Sequence, residues 1–250
     1  MSGGRRVLVT GSTRGIGRAI AERFLAAGDA VILHGSSQTA VTAVVTELQT
    51  AYPTVSGHAA DLSDRAALRG LAQVCGPIDV LINNAGLYAE EAIDAVSPAS
   101  WNRMMAVNLT AAWLLSSAFL PGLRARRGSI VNVASDAAFL GVAGGSTYCA
   151  SKGALVGLTR ALAIELAPHV RALCVCPGPV ETDMMRNQVE AAPDPVAMRA
   201  QWMGFAPMGR VARPEEIAAL VYTAADPAAG FATGAAWLID GGLTAGKRLS

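Results

Sequence analysis

The sequence predicts an α/β protein with one parallel sheet that is covered by helices on both faces. Short apolar runs alternate with longer helical patterns along nearly the whole chain, which is typical of βαβ units. The runs are continuously apolar, as expected for strands buried on both faces. A chain of 250 residues can form one such fold, so we expect a single domain over residues 1–250.

Seven runs are candidate strands, at residues 7–10, 30–34, 55–59, 80–83, 129–133, 170–176 and 236–240. Six segments fit helices, at 15–27, 39–50, 64–75, 98–119, 147–167 and 214–224. Ser63 is a candidate cap for the third helix, and Pro98 and Pro214 suit first-turn positions. The stretch 178–213 contains four prolines and is predicted to be irregular, with residues 183–210 as a candidate substrate lid.

Charge and composition exclude several classes of protein. The formal net charge is +1, so no global field attracts nucleic acid or an anionic membrane. No uninterrupted apolar stretch approaches the ~20 residues that cross a bilayer, and the first residues do not resemble a signal peptide. We expect a cytoplasmic protein without nucleic-acid or membrane partners. Cys174 and Cys176 are expected on opposite sides of a strand, and Cys75 and Cys149 in separate helices, which suits neither disulfides nor a metal site.

The first strand ends in a glycine-rich turn, Thr10-Gly11-Ser12-Thr13-Arg14-Gly15-Ile16-Gly17. Glycines let the backbone turn tightly and approach a pyrophosphate, whose charge is met by amides at the start of the next helix. A plain tight turn is the alternative. The position between a strand and an amphipathic helix favours dinucleotide binding.

Tyr148 and Lys152 lie four residues apart in a predicted helix and therefore share a face. At roughly 4 Å and an effective dielectric of about 20, the ammonium would stabilise a phenolate by about 4 kcal/mol, or roughly three pKa units. The pKa of Tyr148 is thus predicted to fall towards neutrality, which would make the phenol an acid-base catalyst. An ordinary surface pair is the alternative.

Six motifs stand in the order and spacing of one family. They are the glycine turn, Asn83-Asn84-Ala85-Gly86, Asn108, Ser135, Tyr148 with Lys152, and Pro177-Gly178. From about residue 6 to 242 the sequence resembles the classical short-chain dehydrogenases/reductases. The resemblance implies a Rossmann fold with strand order 3-2-1-4-5-6-7, a homotetramer, and hydride transfer between a nicotinamide dinucleotide and a carbonyl or secondary alcohol.

The resemblance also implies the catalytic residues. Tyr148 would be the general acid-base and Lys152 its electrostatic partner, which also holds the nicotinamide ribose. Ser135 would hydrogen-bond the substrate oxygen, and Asn108 would relay the proton through ordered water. Taken singly, Ser135 could be a strand-end hydroxyl and Asn108 an ordinary helix residue; their joint spacing with Tyr148 favours catalysis.

A larger set of residues is implied to contact the dinucleotide. Asp61 could instead be a turn residue before a helix, and Asn83 could serve only to brace its strand. The set is Gly11, Ser12, Arg14, Gly15, Ile16, Gly17, Ser36, Ser37, Asp61, Leu62, Asn83, Ala85, Gly86, Tyr148, Lys152, Pro177, Gly178, Val180 and Thr182.

The end of the second strand predicts which dinucleotide binds. NAD-dependent relatives place an acidic residue there, which would repel a 2′-phosphate. Gly35 stands at that position, followed by the hydroxyls of Ser36 and Ser37, and Arg14 can meet a phosphate charge. NADP(H) is therefore predicted, with NAD(H) as the alternative and Arg14 as a solvated loop residue in that case.

The substrate is less closely defined. The lid segment is rich in methionines and aromatics, which form an adaptable apolar pocket or simply pack the lid onto the core. A 3-oxoacyl group on acyl carrier protein is one candidate, because Arg124, Arg126 and Arg127 could meet an acidic carrier or form a solvated cluster. A non-catalytic dinucleotide-binding regulator is the alternative of another class. The complete Asn, Ser, Tyr and Lys set argues against it.

Overall fold

The predicted parallel sheet is present in the structure, a computed structural model that describes residues 4–246. Its seven strands lie in the order β3-β2-β1-β4-β5-β6-β7, and every neighbouring pair is parallel. The two ends of the predicted 1–250 domain lie outside the described residues. The strands are β1 Arg6–Val9, β2 Ala30–Gly35, β3 Ser56–Ala59, β4 Val80–Asn83, β5 Ser129–Val133, β6 Arg171–Pro177 and β7 Ala236–Ile239.

Nine α-helices cover this sheet within residues 4–246, and five of the six predicted helices begin and end within one residue of their predicted bounds. A π-helical turn at Ala106–Thr110 joins α4 and α5 into one continuous helical segment. The helices are α1 Gly15–Ala26, α2 Gln38–Gln49, α3 Arg65–Cys75, α4 Pro98–Met105, α5 Ala111–Arg126, α6 Ser146–Leu166, α7 Asp183–Ala191, α8 Pro195–Phe205 and α9 Pro214–Ala225.

The core has two halves, one on each face of the sheet. Val7 and Val9 of β1 point to the face covered by α1 and α9. Leu8, between them, points to the opposite face, where α3, α5 and α6 pack. All three side chains are fully buried, which explains why the strand is apolar at every position rather than at alternate ones. Shortening Leu8 to alanine is expected to cost about 2–5 kcal/mol.

The prediction for the helix at 98–119 was wrong at its end, because the helix runs to Arg126 past Pro121. Leu123, fully buried one turn further on, packs this last part against the sheet. The whole segment of 29 residues has a mean hydropathy of 1.4 over its most apolar window, so by length and composition it could cross a membrane, contrary to our expectation. In the structure 39% of that window is buried. The segment packs against the sheet as a core helix of the α/β fold.

Three further expectations need correction. The stretch 178–213 is not irregular: it contains α7 and α8, whose first turns are capped by the side chains of Thr182 and Asp194. The cap of α3 is Asp64 rather than Ser63. Cys174 and Cys176 lie on the same face of β6, with sulfur atoms 3.7 Å apart, because residues two apart in a strand point to the same side. The four cysteines are free thiols.

All strands point the same way, so their carboxyl ends meet along one edge of the sheet. The connections reverse direction between β1 and β4, because β2 and β3 lie on one side of β1 and the later strands on the other. Ligands in open parallel sheets bind in the crevice outside such a reversal. The glycine turn after β1 and the segments after β4, β5 and β6 all lie at this edge.

Candidate active site

The glycine turn is held tightly against the segment that follows β4. Thr10 Oγ1 accepts hydrogen bonds from the amides of Asn84 and Ala85, both at 3.0 Å. Asn84 Nδ2 donates to the carbonyls of Thr10 and Gly11. Gly11 has a positive φ of 64°, and a Cβ there would lie 2.9 Å from the Ala85 Cα. A Cβ on Gly17 would lie 2.2 Å from the Gly11 carbonyl oxygen, so only glycine fits.

The start of α1 offers free backbone donors at the carboxyl edge. Gly15, Ile16 and Gly17 form its first turn, where amides have no partner within the helix. A Cβ on Gly15 would lie 3.5 Å from the Thr182 methyl group, so the start of α7 faces this turn. Ser12 points inward: its hydroxyl donates to the Val9 carbonyl and accepts from the His34 amide. The Ser12 amide donates to the His34 carbonyl at 2.8 Å, so both its hydroxyl and its amide join the turn to β2.

The end of β2 touches the glycine turn and leaves little room for an acidic side chain. A Cβ on Gly35 would lie 2.8 Å from Thr13 Cγ2 and 3.1 Å from Val41 Cγ2. Ser36 and Ser37 follow at the surface, and the Ser37 hydroxyl accepts from the Ala40 amide as the cap of α2. Arg14, next to Thr13, is exposed and forms no salt bridge within residues 4–246.

Asp61 and Asn83 both have structural partners. Asp61 Oδ1 accepts from the amide and hydroxyl of Ser63 at 2.9 and 2.7 Å, which lowers the pKa of this exposed carboxyl. Leu62 beside it is buried. Asn83 Nδ2 donates to Asn132 Oδ1 at 2.8 Å, so this side chain joins β4 to β5. Its own buried Oδ1 has no hydrogen-bond partner among the described residues.

Three of the predicted catalytic residues lie near the carboxyl end of β5 and the start of α6: Ser135, Tyr148 and Lys152. Ser135 follows β5, and its side chain is close enough to the Tyr148 hydroxyl to affect the pKa of that phenol. Burial raises the pKa of Tyr148 to about 12; the Ser135 side chain opposes this shift and the Asp136 carboxylate adds to it. The predicted fall of this pKa towards neutrality was therefore wrong. Tyr148 is protonated at neutral pH in this structure.

Lys152 explains why the prediction failed. It is 4% exposed, and its Nζ donates to the Val133 carbonyl at 3.0 Å. The Nζ lies 5.7 Å from the centroid of the Tyr148 ring. Burial lowers the pKa of Lys152 to about 8, with the thiols of Cys174 and Cys176 opposing the shift. The cost of burying charge thus outweighs the attraction between the two side chains.

Asn108 lies in the π-helical turn between α4 and α5 and is fully tied down. Its Oδ1 accepts from the Leu87 amide at 2.7 Å, and its Nδ2 donates to the Leu87 carbonyl and to Ser151 Oγ at 3.0 Å. These bonds connect the segment after β4 to the catalytic helix α6. Such π-turns often occur at functional sites, because they change the spacing of backbone groups locally.

The residues after β6 form the wall opposite the glycine turn. Pro177 ends β6 in the core, and a Cβ on Gly178 would lie 2.7 Å from the Asp240 Cα. Val180 is buried and pairs with Ala212. Gly86, on the facing segment, lies near the buried lysine, since a Cβ there would be 3.3 Å from Lys152 Nζ. The segments after β1, β4 and β6 thus lie close to one another and to Lys152 at the carboxyl edge of the sheet.

Sequence reasoning missed the residues that form the mouth of this crevice. The Tyr88 ring packs edge-on against Tyr148, with centroids 4.8 Å apart. Its hydroxyl donates to Glu90, and the side chain of Gln188 in α7 approaches the same hydroxyl. Asp136, beside the catalytic serine, was also missed. Tyr88 stands two residues after the Asn-Asn-Ala-Gly motif, which was the available signal for it.

Two other sequence features do not join the site. Arg124, Arg126 and Arg127 lie just before β5 begins, and Ser135 follows its end, so the arginines are at the opposite edge of the sheet. Arg126 pairs with Asp79 at 3.3 Å. Within residues 4–246, no group of three or more His, Cys, Asp or Glu side chains is arranged to hold a metal ion.

A glycine turn beside a serine–tyrosine–lysine cluster defines a dinucleotide-dependent oxidoreductase. The chain belongs to the short chain dehydrogenase family, whose model matches residues 5–193. The 2-(S)-hydroxypropyl-CoM dehydrogenase 3 of Xanthobacter autotrophicus is 37% identical over 96% of both chains. The 3-oxoacyl-[acyl-carrier-protein] reductase of Aquifex aeolicus is 35% identical over 96% of this chain and 97% of its own.

Solved structures agree on the fold. A Beutenbergia cavernae protein, provisionally assigned as an NAD(P)-dependent gluconate 5-dehydrogenase, was crystallised with NADP at low occupancy. It has a TM-score of 0.90 at 35% identity, over 98% of both chains. The ligand-free aldohexose dehydrogenase of Thermoplasma acidophilum has a TM-score of 0.88 at 31% identity, over 99% of this chain and 96% of its own.

The residues present fit a nicotinamide dinucleotide, which members of this family bind. Gly11 and Gly17 allow the tight turn that brings the backbone to the start of α1, whose first-turn amides can meet a pyrophosphate. Lys152 has three donors but a single hydrogen bond, to Val133, within the described residues. Its remaining donors can meet ribose hydroxyls.

Proposed function

We propose that this oxidoreductase reduces a ketone to a secondary alcohol with NADPH and catalyses the reverse oxidation with NADP⁺. The observation that supports this most directly is the convergence of Ser135, Tyr148 and Lys152 beside the glycine turn. The bound dinucleotide would supply or accept the hydride. The chain itself must bind and orient the substrate oxygen and move one proton.

Tyr148 is the group that moves the proton. Its raised pKa of about 12 keeps the phenol protonated at neutral pH, so it can donate to the oxygen of a carbonyl as that oxygen gains charge. Ser135 lies close to the phenol and would hold the same oxygen. In the oxidation direction the phenol must first lose its proton, so that reaction is expected to be faster at high pH.

Lys152 and Asn108 support this arrangement. Lys152 binds the ribose and places a charge behind the phenol, and its lowered pKa of about 8 makes that charge dependent on pH. Asn108 holds the segment after β4 against α6 through Leu87 and Ser151. We also propose that Asn108 supports the relay of the proton from the buried site to solvent.

The preference for NADP(H) is supported by the contact between Gly35 and Thr13. A side chain at position 35 would collide with Thr13 and Val41, which disfavours the acidic residue that NAD-dependent relatives use. Arg14 directly follows Thr13, and Ser36 directly follows Gly35. Both side chains are exposed. A cation and a hydroxyl are thereby available to a 2′-phosphate.

Other parts of the proposal concern assembly and access. Residues 183–210, which include α7 and α8, would form a lid over the substrate, with Gln188 near Tyr88.

A homotetramer is proposed because α5 and α6 expose large apolar side chains, including Trp113 and Ile164. The cytoplasmic location and the single domain over residues 1–250 stay predictions.

A second candidate is a 3-oxoacyl-[acyl-carrier-protein] reductase, because relatives with that activity cover nearly the whole chain. The arginines predicted to meet an acidic carrier lie at the opposite edge of the sheet from Ser135. They therefore offer no support for docking a carrier at the site. A simple ketone is the better-supported substrate class.

Turnover of NADPH and NADH on a panel of ketones and 3-oxoacyl thioesters tests the proposal, with wild-type protein, Tyr148→Phe and Tyr52→Phe. Tyr52 is half-buried beside α2 and serves as the matched control. We expect Tyr148→Phe to lose about 10²–10⁴-fold in rate while still binding NADPH, and Tyr52→Phe to keep its rate. Binding of NADPH without turnover in wild type would support a non-catalytic regulator instead.

A further inference from the structure

His34 joins two parts of the candidate cofactor site that are far apart in sequence. It is the penultimate residue of β2 and is 2% exposed. Its Nδ1 accepts a hydrogen bond from the Gly11 amide at 3.2 Å, and its Nε2 lies 3.1 Å from the Ala60 carbonyl oxygen. Gly11 belongs to the glycine turn, and Ala60 directly precedes Asp61. The imidazole thus spans from the pyrophosphate side to the adenosine side of the crevice.

The two partners determine which protons the ring carries. A backbone amide can only donate, so Nδ1 must offer its lone pair to Gly11. A carbonyl oxygen can only accept, so Nε2 must carry the hydrogen that Ala60 receives. His34 is therefore the neutral Nε2–H tautomer. A second proton, on Nδ1, would point this N–H at the N–H of Gly11. The site is buried, so water cannot replace the lost hydrogen bond.

The contact with Gly11 matters because the His34 ring is the acceptor for the amide of this one peptide, while the other bonds of the turn involve Thr10, Ser12 and the Gly11 carbonyl. Asn84 Nδ2 holds the Gly11 carbonyl at 3.2 Å, while His34 holds its amide. Gly11 has a positive φ of 64° and packs closely against Ala85. Losing the acceptor at Nδ1 would free one side of this peptide and shift the cradle for the pyrophosphate.

We propose that His34 is a positioning residue for the dinucleotide: as the neutral tautomer it holds Gly11 and Ala60 in the binding geometry, and protonation of its ring weakens cofactor binding. This inference rests on the proposed function, because it requires that NADP⁺ or NAD⁺ binds in the crevice. Protonation of His34 would regulate the affinity for the dinucleotide, an effect that is separate from the acid-base role of Tyr148.

Burial is consistent with this assignment, because it lowers the pKa of His34, with the Ala60 carbonyl opposing the shift. Charged or titratable side chains on the neighbouring segments are Arg14 in the glycine turn, His58 opposite His34 in β3, Asp61 after Ala60, and the exposed Asp64, Arg65 and Arg69 at the start of α3. None forms a hydrogen bond with the His34 ring within residues 4–246. Residues 84–86, after β4, have no ionisable side chain.

The sign of the pH effect follows from the direction of the shift. The unfolded chain binds a proton on histidine below about pH 6.5, and the folded chain binds it only at lower pH. Stability from this group is therefore complete above about pH 6.5 and is lost as pH falls below it. Cofactor affinity should fall only at lower pH, as the folded ring itself takes up the proton, since the protonated ring cannot accept from Gly11.

Calorimetric titration with NADP⁺ and with NAD⁺ between pH 8.0 and about 5.0 tests the proposal on wild type, His34→Gln and His58→Gln. NAD⁺ has no 2′-phosphate, so its pH dependence reports on the protein alone. Glutamine can accept from Gly11 and donate to Ala60 but does not titrate. We expect the Kd of wild type and His58→Gln for both nucleotides to rise about twofold or more at the acid end of this range, and that of His34→Gln to stay constant.

Equal pH dependence of the Kd in wild type and His34→Gln would overturn the inference. Failure of both nucleotides to bind at any pH would instead overturn the proposed function. If His34→Gln does not fold, ¹⁵N spectra of the wild-type histidines, three in the chain, provide a second test. They must show a hydrogen-free Nδ1 on His34 at pH 7.5 that becomes protonated as affinity falls; a protonated Nδ1 at pH 7.5 would contradict the proposal.

Discussion

The hydroxyl of Ser135 donates a 2.7 Å hydrogen bond to the carboxylate of Asp136, the next residue in the chain. The same oxygen of Asp136 accepts from the Ala137 amide at 2.8 Å. This places a carboxylate close to the proposed proton donor, Tyr148, and its charge adds to the rise in the pKa of that phenol. The acidity of Tyr148, the proposed catalytic tyrosine, therefore depends on a residue outside the predicted catalytic set.

Asp136→Asn should lower the pKa of Tyr148, because it removes a negative charge that disfavours the phenolate. Oxidation of an alcohol needs the phenolate, so its rate should begin to rise at lower pH, by on the order of one pH unit. The pH profile of alcohol oxidation with NADP⁺ checks this. Asp94→Asn, at an exposed position, is the control. An unmoved profile would show that Asp136 does not act on Tyr148.

Lys152→Met should remove a dependence of stability on pH. The pKa of the lysine is about 8 when folded and about 10.4 when unfolded, so between these values the unfolded chain binds more protons. Wild type should therefore gain about 2 kcal/mol in free energy of unfolding relative to Lys152→Met as pH rises from 8 to 10. Urea unfolding of both proteins measures the difference. A constant difference across this range would mean that the buried lysine keeps an ordinary pKa.

Arg14→Gln should weaken binding of NADP⁺ much more than binding of NAD⁺. A hydrogen bond between charged groups contributes about 1.5–3 kcal/mol, so a loss of about tenfold or more in affinity for NADP⁺ is expected. Calorimetry with both nucleotides measures it, and Arg69→Gln, exposed on α3, controls for net charge. Equal losses for the two nucleotides would count against contact between Arg14 and the 2′-phosphate.

Gly17→Ala should disrupt the glycine turn, because the new Cβ would lie 2.2 Å from the Gly11 carbonyl oxygen and 2.4 Å from Asn84 Nδ2. We expect loss of dinucleotide binding and a fall in Tm. Gly70→Ala, within α3, has no atom within 4 Å of its new Cβ and should stabilise the protein by about 0.5–1 kcal/mol. Thermal unfolding and NADP⁺ titration of both variants distinguish these outcomes; a Gly17→Ala protein that binds normally would contradict the close-packed turn.

Trp113→Glu combined with Ile164→Glu should dissociate the proposed homotetramer. These side chains are 50% and 82% exposed on α5 and α6, where a charge would be buried on assembly. Light scattering after size exclusion gives the mass of each species. Val74→Glu, which is 56% exposed on α3, should leave the assembly intact. A monomeric wild type at high protein concentration would refute the tetramer.

Much of the fold could be predicted because its signals are local. Continuous apolar runs mark strands buried on both faces, and β4 and β5 begin and end at their predicted residues. Helices α7 and α8 were missed because the prolines that flank them were interpreted as a sign of irregular structure, and their caps, Thr182 and Asp194, were not recognised. Proline at the first position of α8 begins that helix rather than breaking it.

By itself, the sequence determined the fold class, the strand pattern and the family, since the glycine spacing and the interval from Tyr148 to Lys152 are visible in the sequence alone. Only the tertiary structure decided the electrostatics of the site. Burial raises the pKa of Tyr148 and lowers that of Lys152, and long-range packing brings His34 to Gly11. A pKa depends on the solvent and charges around a group, and those are set by segments distant in the chain.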